Sequence, residues 1–244
     1  NISDVAAMGA KPVATLLSLA LPEERFGEWV QDFMKGYHAA SKKYRVKLVG
    51  GDTTKSESGV CVNVTAIGRA PLANIKRRSA AKVGDIIMVT GKLGASAAGL
   101  RDVLSGKLTT RNAKIHLMPE ARIKEGMWLG EQPEVRAMMD ISDDIASDLR
   151  HIMKASGAGA VISLDRIPCS PELISVCAGQ GWDRYELATS GGEDFELLFT
   201  GPADLENELD IKIYPVGKIV EGDELIWTVD SRTVDYDYVG YNHF

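Results

Sequence analysis

The chain has 244 residues, 45% hydrophobic and 25% charged, with a formal net charge of -6 at pH 7. These values fit a soluble globular protein of one large or two ordinary domains and exclude a disordered chain. The acidic balance argues against a general nucleic-acid binder, and no run reaches the ~20 apolar residues that a bilayer span needs, so no nucleic acid and no membrane are expected as partners.

The sequence opens on Asn1, inside what reads as a motif, so a segment is expected to precede it. Ser3 or Asp4 is placed to cap a short helix ending near Gly9. Residues 13–21 read as a buried strand. Pro22-Glu23-Glu24 then reads as the start of a long helix, with proline in the first turn and acids at the positive end. Phe26, Trp29, Val30, Phe33, Tyr37, Ala40 and Tyr44 recur on it at helical spacing, the mark of a core-facing stripe. Residues 47–49 form a short strand expected to end on Gly50-Gly51-Asp52. Val60, Val62, Val64 and Ala66 alternate as in a half-buried strand.

Residues 70–81, with a proline and the basic run Lys76-Arg77-Arg78, read as a boundary, dividing the chain into residues 1–72 and 73–244. Beyond it, residues 85–90 read as a strand leading through Gly91-Lys92-Leu93-Gly94 to a small-residue helix over 95–104. A helix is expected over 119–129, a strand over 136–140, a helix over 143–156 and a strand over 160–164. A further strand is expected over 195–199, a helix over 202–209, and short strands with turns from Ile211 onward. Alternating helices and strands give an α/β or α+β class. Cys61, Cys169 and Cys177 each read as a small buried hydrophobe and have no CxxC spacing. The odd count suits a reducing, cytoplasmic compartment, and no secretory signal is visible. His38, His116, His151 and His243 form no ligand pattern.

Four acidic knots sit beside strands or helix starts: Asn1-Ile2-Ser3-Asp4, Gly50-Gly51-Asp52-Thr53, Asp140-Ile141-Ser142-Asp143 and Gly191-Gly192-Glu193-Asp194. Carboxylates there, with glycines that let a ligand approach, suit magnesium ions carrying phosphates. At Gly50-Gly51-Asp52 a ligand contact and a tight turn with an Asx bond fit equally well. Three acids within Asp140 to Asp144 repel one another although a helix cap needs one, which favours a bound cation. Gly91-Lys92-Leu93-Gly94 fits either a phosphate cradle or a simple turn, and it is not a P-loop. Lys76-Arg77-Arg78 reads as a phosphate contact or a solvated linker face.

In order, NISDVAAMGAKP, LVGGDTT, RRSAAKVGD, TGKLGASAAGL, MDISDDIASDL, SGGEDFEL and GYNHF resemble the thiamine-monophosphate kinases. That family lies in the ATP-using superfamily of aminoimidazole ribonucleotide synthetase. The resemblance implies a two-domain aminoimidazole ribonucleotide synthetase-like fold with an incomplete first domain, ATP as co-substrate, Mg2+ as cofactor, thiamine monophosphate as substrate, and a homodimer. It implies metal roles for Asp4, Asp52, Asp140 and Asp143, ATP contacts for Gly51, Asp52, Arg78 and Ser142, and substrate contacts for Glu193 and Tyr241. No protein nucleophile is implied. Asp144 and Ala80 stand where the family usually has glycine, and Ala95 where it often has aspartate. The family's front Gly-Asp-Asp motif is absent, so this chain alone is expected to bind nucleotide weakly. A synthetase of the aminoimidazole ribonucleotide type would share the aspartates but needs a catalytic Lys, Cys or His in its substrate half, for which the sequence offers no candidate. A non-catalytic nucleotide-binding paralogue is the remaining alternative.

Overall fold

The computed structural model describes residues 1–205 and 211–236. Tyr241 and the second half of the helix expected over 202–209 lie outside them.

Helix α1 (Ile2–Ala7) takes Asn1 as its N-cap. Ser3 and Asp4 therefore sit in the first turn, where an acid meets the positive end of the helix. Three strands follow, β1 (Lys11–Leu21), β2 (Lys47–Lys55) and β3 (Cys61–Arg69), with α2 (Glu28–Tyr44) between the first two. They form a sheet in the order β2-β1-β3, with β2 parallel and β3 antiparallel to β1. Leu17, Leu19 and Leu21 make one face, and Trp29, Val30, Phe33 and Tyr37 of α2 cover it. The stripe is core packing, as its spacing predicts. The helix starts later than Pro22, because residues Glu23–Arg25 form a single tight turn and Gly27, at φ 107°, redirects the chain. The opposite sheet face, with Leu16 and Ser18, is exposed. Cys61 is also exposed, contrary to the buried role expected of it.

Strand β2 does not stop at Gly50; it runs through Gly50-Gly51-Asp52 to Lys55. The close approach that the glycines allow is to the neighbouring strand. A Cβ on Gly51, whose φ is 146°, would lie 1.8 Å from the Leu17 carbonyl oxygen. The β1–β2 register shifts between Thr15 and Leu16, next to this contact.

Among the described residues the second sheet has seven strands: β4 (Ile86–Val89), β5 (Met138–Asp140), β6 (Gly159–Ser163), β7 (Leu197–Gly201), β8 (Tyr214–Val220), β9 (Leu225–Val229) and β10 (Arg232–Val234). Their order is β10-β9-β6-β8-β4-β7-β5, with β6 and β9 parallel and the other pairs antiparallel. Around it lie α3 (Ala95–Leu104), α4 (Arg111–Leu117), α5 (Ile123–Glu131), α6 (Ile145–Ser156), α7 (Pro171–Gln180) and α8 (Arg184–Ser190). Alternation along β4 feeds two cores. Ile87 and Val89 pack with Ile145, Leu149 and Ile152 of α6, whereas Met88 packs with Leu129 of α5, Phe199 and Ala7 of α1.

Helix α1 joins the two halves. A Cβ on Gly126 of α5 would lie 2.3 Å from the Ala6 carbonyl oxygen, so the two helices touch through backbone. The basic run splits at this junction. Lys76 is buried, and its Nζ donates to the carbonyls of Gln132 at 2.6 Å and Val135 at 2.9 Å. Burial lowers its pKa. Arg77 and Arg78 are exposed. No helix among the described residues is long and apolar enough to cross a membrane.

The Gly51 contact predicts that Gly51→Ala destabilises the fold by about 2 kcal/mol or more, since the methyl group meets backbone at a φ unsuited to alanine. Denaturant unfolding with nucleotide absent measures this; an unchanged midpoint would show that the glycine is not structural.

Candidate functional site

The site is built around the turn between β5 and α6. Asp140 ends β5 and is buried. Burial raises its carboxyl pKa, and the nearby charge of Asp4 adds to the rise. The Ser3 hydroxyl faces it, short of hydrogen-bond geometry, and works against that rise. Asp144, not Asp143, is the N-cap of α6: its carboxylate accepts from Ser147 N at 2.6 Å and from Ser147 Oγ at 2.9 Å. The apparent surplus acid is thus absorbed by the helix. Ser142 and Asp143 lie in the preceding turn. Their backbone N–H groups donate to Asp148 Oδ2, at 2.9 and 3.3 Å. Burial pushes the Asp148 carboxyl up to about 7; the amide from Ser142 opposes this, and Asp143, Asp140 and Asp144 reinforce it.

The segment 191–196 lies against this turn. Glu193 N donates to Ser142 O at 2.7 Å, and Phe195 N to Ile141 O at 2.9 Å. Gly192 makes the approach possible, because a Cβ there would lie 2.1 Å from the Asp143 carbonyl oxygen. Glu193 and Phe195 are held in the left-handed region, at φ 55° and 49°. Between them Asp194 turns inward and accepts from Gly94 N at 2.7 Å and Ser96 N at 3.2 Å. It therefore holds the glycine turn and the start of α3. Burial pushes its carboxyl up to about 7 against those two amides.

Beside this segment opens a cleft of about 790 Å3, bordered by Lys92, Arg111, Lys114, Arg122, Glu193 and Glu196 among others. Its floor is the buried Glu196, which accepts from Nε–H and Nη2–H of Arg122 and from Thr90 Oγ1 at 2.8 Å. Gly91 borders Glu196 so closely that a Cβ would strike its carboxylate.

Asp4, Asp140, Asp143, Ser142 and Glu193 are therefore brought into one neighbourhood. Gly51, Asp52 and Arg78 are not joined to it. Asp52 pairs with Ser18, on the face away from Leu17 and α2, and accepts from the N–H of Thr53 at 2.9 Å. This bond reaches only the next residue within a continuous strand, so the tight turn with an Asx bond does not form here. Asn1, Ile2 and Ser3 instead border a pocket with Thr15 and Tyr37 on the α2 side. The Arg78 carbonyl accepts from Ser156 Oγ at 2.8 Å, at the far end of the 12-residue helix α6. At 1.5 Å per residue that is about 18 Å from the acidic turn. Asp148, Arg122 and Glu196 escape the sequence reading. A helix phase from Asp144 would have placed Asp148 on the turn-facing side.

Among the described residues, no group of three acidic, His or Cys side chains is arranged to hold an ion by itself. The donor set still fits magnesium, which is commonly held by one or two carboxylates plus waters and substrate phosphates. Burial is the main cause of the raised pKa values at Asp140 and Asp148, neighbouring acids add to it, and a cation bound beside them would favour their ionised forms.

Two family models match the chain, AIR synthase related protein N-terminal domain over residues 1–70 and C-terminal domain over residues 82–230. The thiamine-monophosphate kinase of Salmonella typhimurium is 37% identical over all of this chain and 77% of its own length. That of Aquifex aeolicus is 34% identical over all of this chain and 78% of its own length. The chain belongs to the thiamine-monophosphate kinase family. A solved thiamine-monophosphate kinase structure, AaThiL complexed with AMPPCP and TMP, superposes with a TM-score of 0.89 at 33% identity, over all of this chain and 77% of the other. The mixed two-domain fold implied by the motifs is the fold of these thiamine-monophosphate kinases.

Two outcomes are expected at this site. Asp144→Asn, which keeps the cap acceptor, leaves stability near wild type, whereas Asp144→Ala lowers it by about 1–2 kcal/mol in denaturant unfolding. Equal losses from both would point to a role for the charge. Asp194 has a folded pKa raised to about 7 from 3.8, so the folded state holds a proton that the unfolded state has released. Its contribution to stability is therefore lost as pH rises from about 4 to about 7, by up to about 1.4 kcal/mol for each pH unit in that window. Unfolding free energy measured across it falls less steeply in Asp194→Asn; an identical slope would contradict the burial of this carboxyl.

Proposed function

We propose that the protein transfers the γ-phosphoryl group of ATP to the phosphate of thiamine monophosphate, giving thiamine diphosphate and ADP. The observation that carries this reading is the meeting of Asp4, Asp140 and Asp143 across the junction of the two sheets, in a thiamine-monophosphate kinase fold. Its relatives are named for this activity, and one was solved with AMPPCP and TMP.

An oxygen of the acceptor phosphate attacks the γ-phosphorus in line, and the bond to the β–γ bridging oxygen breaks, leaving ADP. That oxygen is already ionised near pH 7, so neither a protein nucleophile nor a strong general base is needed. Magnesium, when bound, neutralises the phosphates that would otherwise repel each other. Asp4, Asp140 and Asp143 would hold it. The protein's own work is positioning: Asp148 fixes the amides of Ser142 and Asp143, Asp144 caps α6, and Asp194 pins the glycine turn. In this reading Ser142 meets the nucleotide, and Glu193, which borders the cleft, meets the acceptor; Tyr241 is proposed as a second acceptor contact. The cysteines of the larger sheet's half are poor nucleophiles, since burial pushes the Cys169 thiol up to about 11 and that of Cys177 upward. This speaks against a reading built on thiolate chemistry.

A cytoplasmic homodimer completes the proposal. The exposed face of the three-stranded sheet is the one a second copy would cover. Gly51 and Asp52, on β2, would then contribute to nucleotide and metal binding from that side, and Arg78 from the end of α6.

The test is ADP release in the full-length protein supplied with ATP, magnesium and a panel of phosphorylated vitamins. Release is expected with thiamine monophosphate and not with the others, and Asp143→Asn should lower turnover at least ~100-fold. Near-normal turnover of that variant would remove the proposed role of the acidic turn.

A further inference from the structure

His116 belongs to no motif, and its surroundings set it apart. It sits on α4 with its side chain 15% exposed. Its Nδ1 lies 2.9 Å from Ser96 Oγ and 3.5 Å from Glu193 Oε2. A carboxylate oxygen beside a bare ring nitrogen would set lone pair against lone pair, so the favourable arrangement has the proton on Nδ1. Nδ1–H then donates to Ser96 Oγ, with Glu193 Oε2 within charge contact of the same nitrogen.

The two partners differ in how firmly they are held. Ser96 is fully buried, and its backbone N–H is bound to Asp194. The ring is fixed too, because α3 and α4 touch at Gly99, where a Cβ would lie 2.1 Å from the Asn112 carbonyl oxygen and 2.8 Å from His116 Cβ. Glu193, by contrast, has a side chain 58% exposed on a left-handed backbone. An exposed glutamate samples many rotamers unless something selects one.

We propose that His116 is the positioning residue for Glu193. It acts from the α3–α4 pair and aims the carboxylate into the cleft, toward a cationic or N–H-bearing part of the acceptor substrate. This rests on the reading of Glu193 as the acceptor contact. His116 itself touches neither nucleotide nor acceptor in this scheme.

The experiment is steady-state ADP release in the full-length protein, with thiamine monophosphate and ATP varied separately. His116→Leu is expected to raise KM for thiamine monophosphate about tenfold, with kcat and the KM for ATP within about twofold. His116→Asn, whose amide nitrogen replaces the Nδ1 donor, restores most of the loss. Glu193→Gln raises the same KM, and adding His116→Leu to it causes no further rise, as expected for residues acting as one unit. Additive losses, a fall confined to kcat, or no recovery in His116→Asn would overturn the proposal. So would an unchanged KM in Glu193→Gln, which leaves the kinase reading intact. Wild-type protein that releases no ADP with thiamine monophosphate would overturn both.

Discussion

Buried carboxylates bound to backbone amides are the constraint on which the site depends. Asp144, Asp148 and Asp194 stand close to further acids, and water cannot solvate them fully. Each is tolerated because it accepts hydrogen bonds from main-chain N–H groups, which stabilise the anionic form. In return each carboxylate fixes a piece of backbone: the start of α6, the turn before it, and the start of α3. Those three pieces carry Ser142 and Asp143 and brace the turn where Glu193 sits. The carboxylates gathered around the acidic turn are therefore also what shapes the scaffold.

Glycines decide how closely these pieces approach. Gly192 lets the 191–196 segment reach the Asp143 carbonyl, and Gly91 leaves room for Glu196. Phe195 and Glu193 take left-handed conformations without being glycine. Such strain costs of the order of 1–3 kcal/mol per residue and survives where the surroundings over-determine it. Here the hydrogen bonds to Ile141 and Ser142 on one side, and those from Gly94 and Ser96 to Asp194 on the other, supply that determination.

Much of this was legible from residue pattern. The aromatic stripe of α2, the small-residue helix α3 and the strand–turn–helix around Asp140 follow from spacing and capping rules. Helices α4, α7 and α8 were passed over although Thr110, Ser170 and Asp183 cap them, because short helices on the flank of a domain lack a long apolar period. Strand β2 was cut short because paired glycines read as a turn, whereas here they admit a neighbouring strand. Side-chain partners far apart in sequence, such as Arg122 with Glu196, or His116 with Glu193, leave no local signal at all. The motif order identified the family, and geometry separated its residues into those that meet at the turn and those, Gly51, Asp52 and Arg78, that stand elsewhere.

Lys76 carries a mechanical consequence. Its backbone N–H is tied to Met8 O at the end of α1, and its ammonium group is sunk between the carbonyls of Gln132 and Val135. The connector between the two sheets is thereby riveted near its middle. Swinging one half away from the other would drag a charged amine out of its carbonyl socket, a costly hinge.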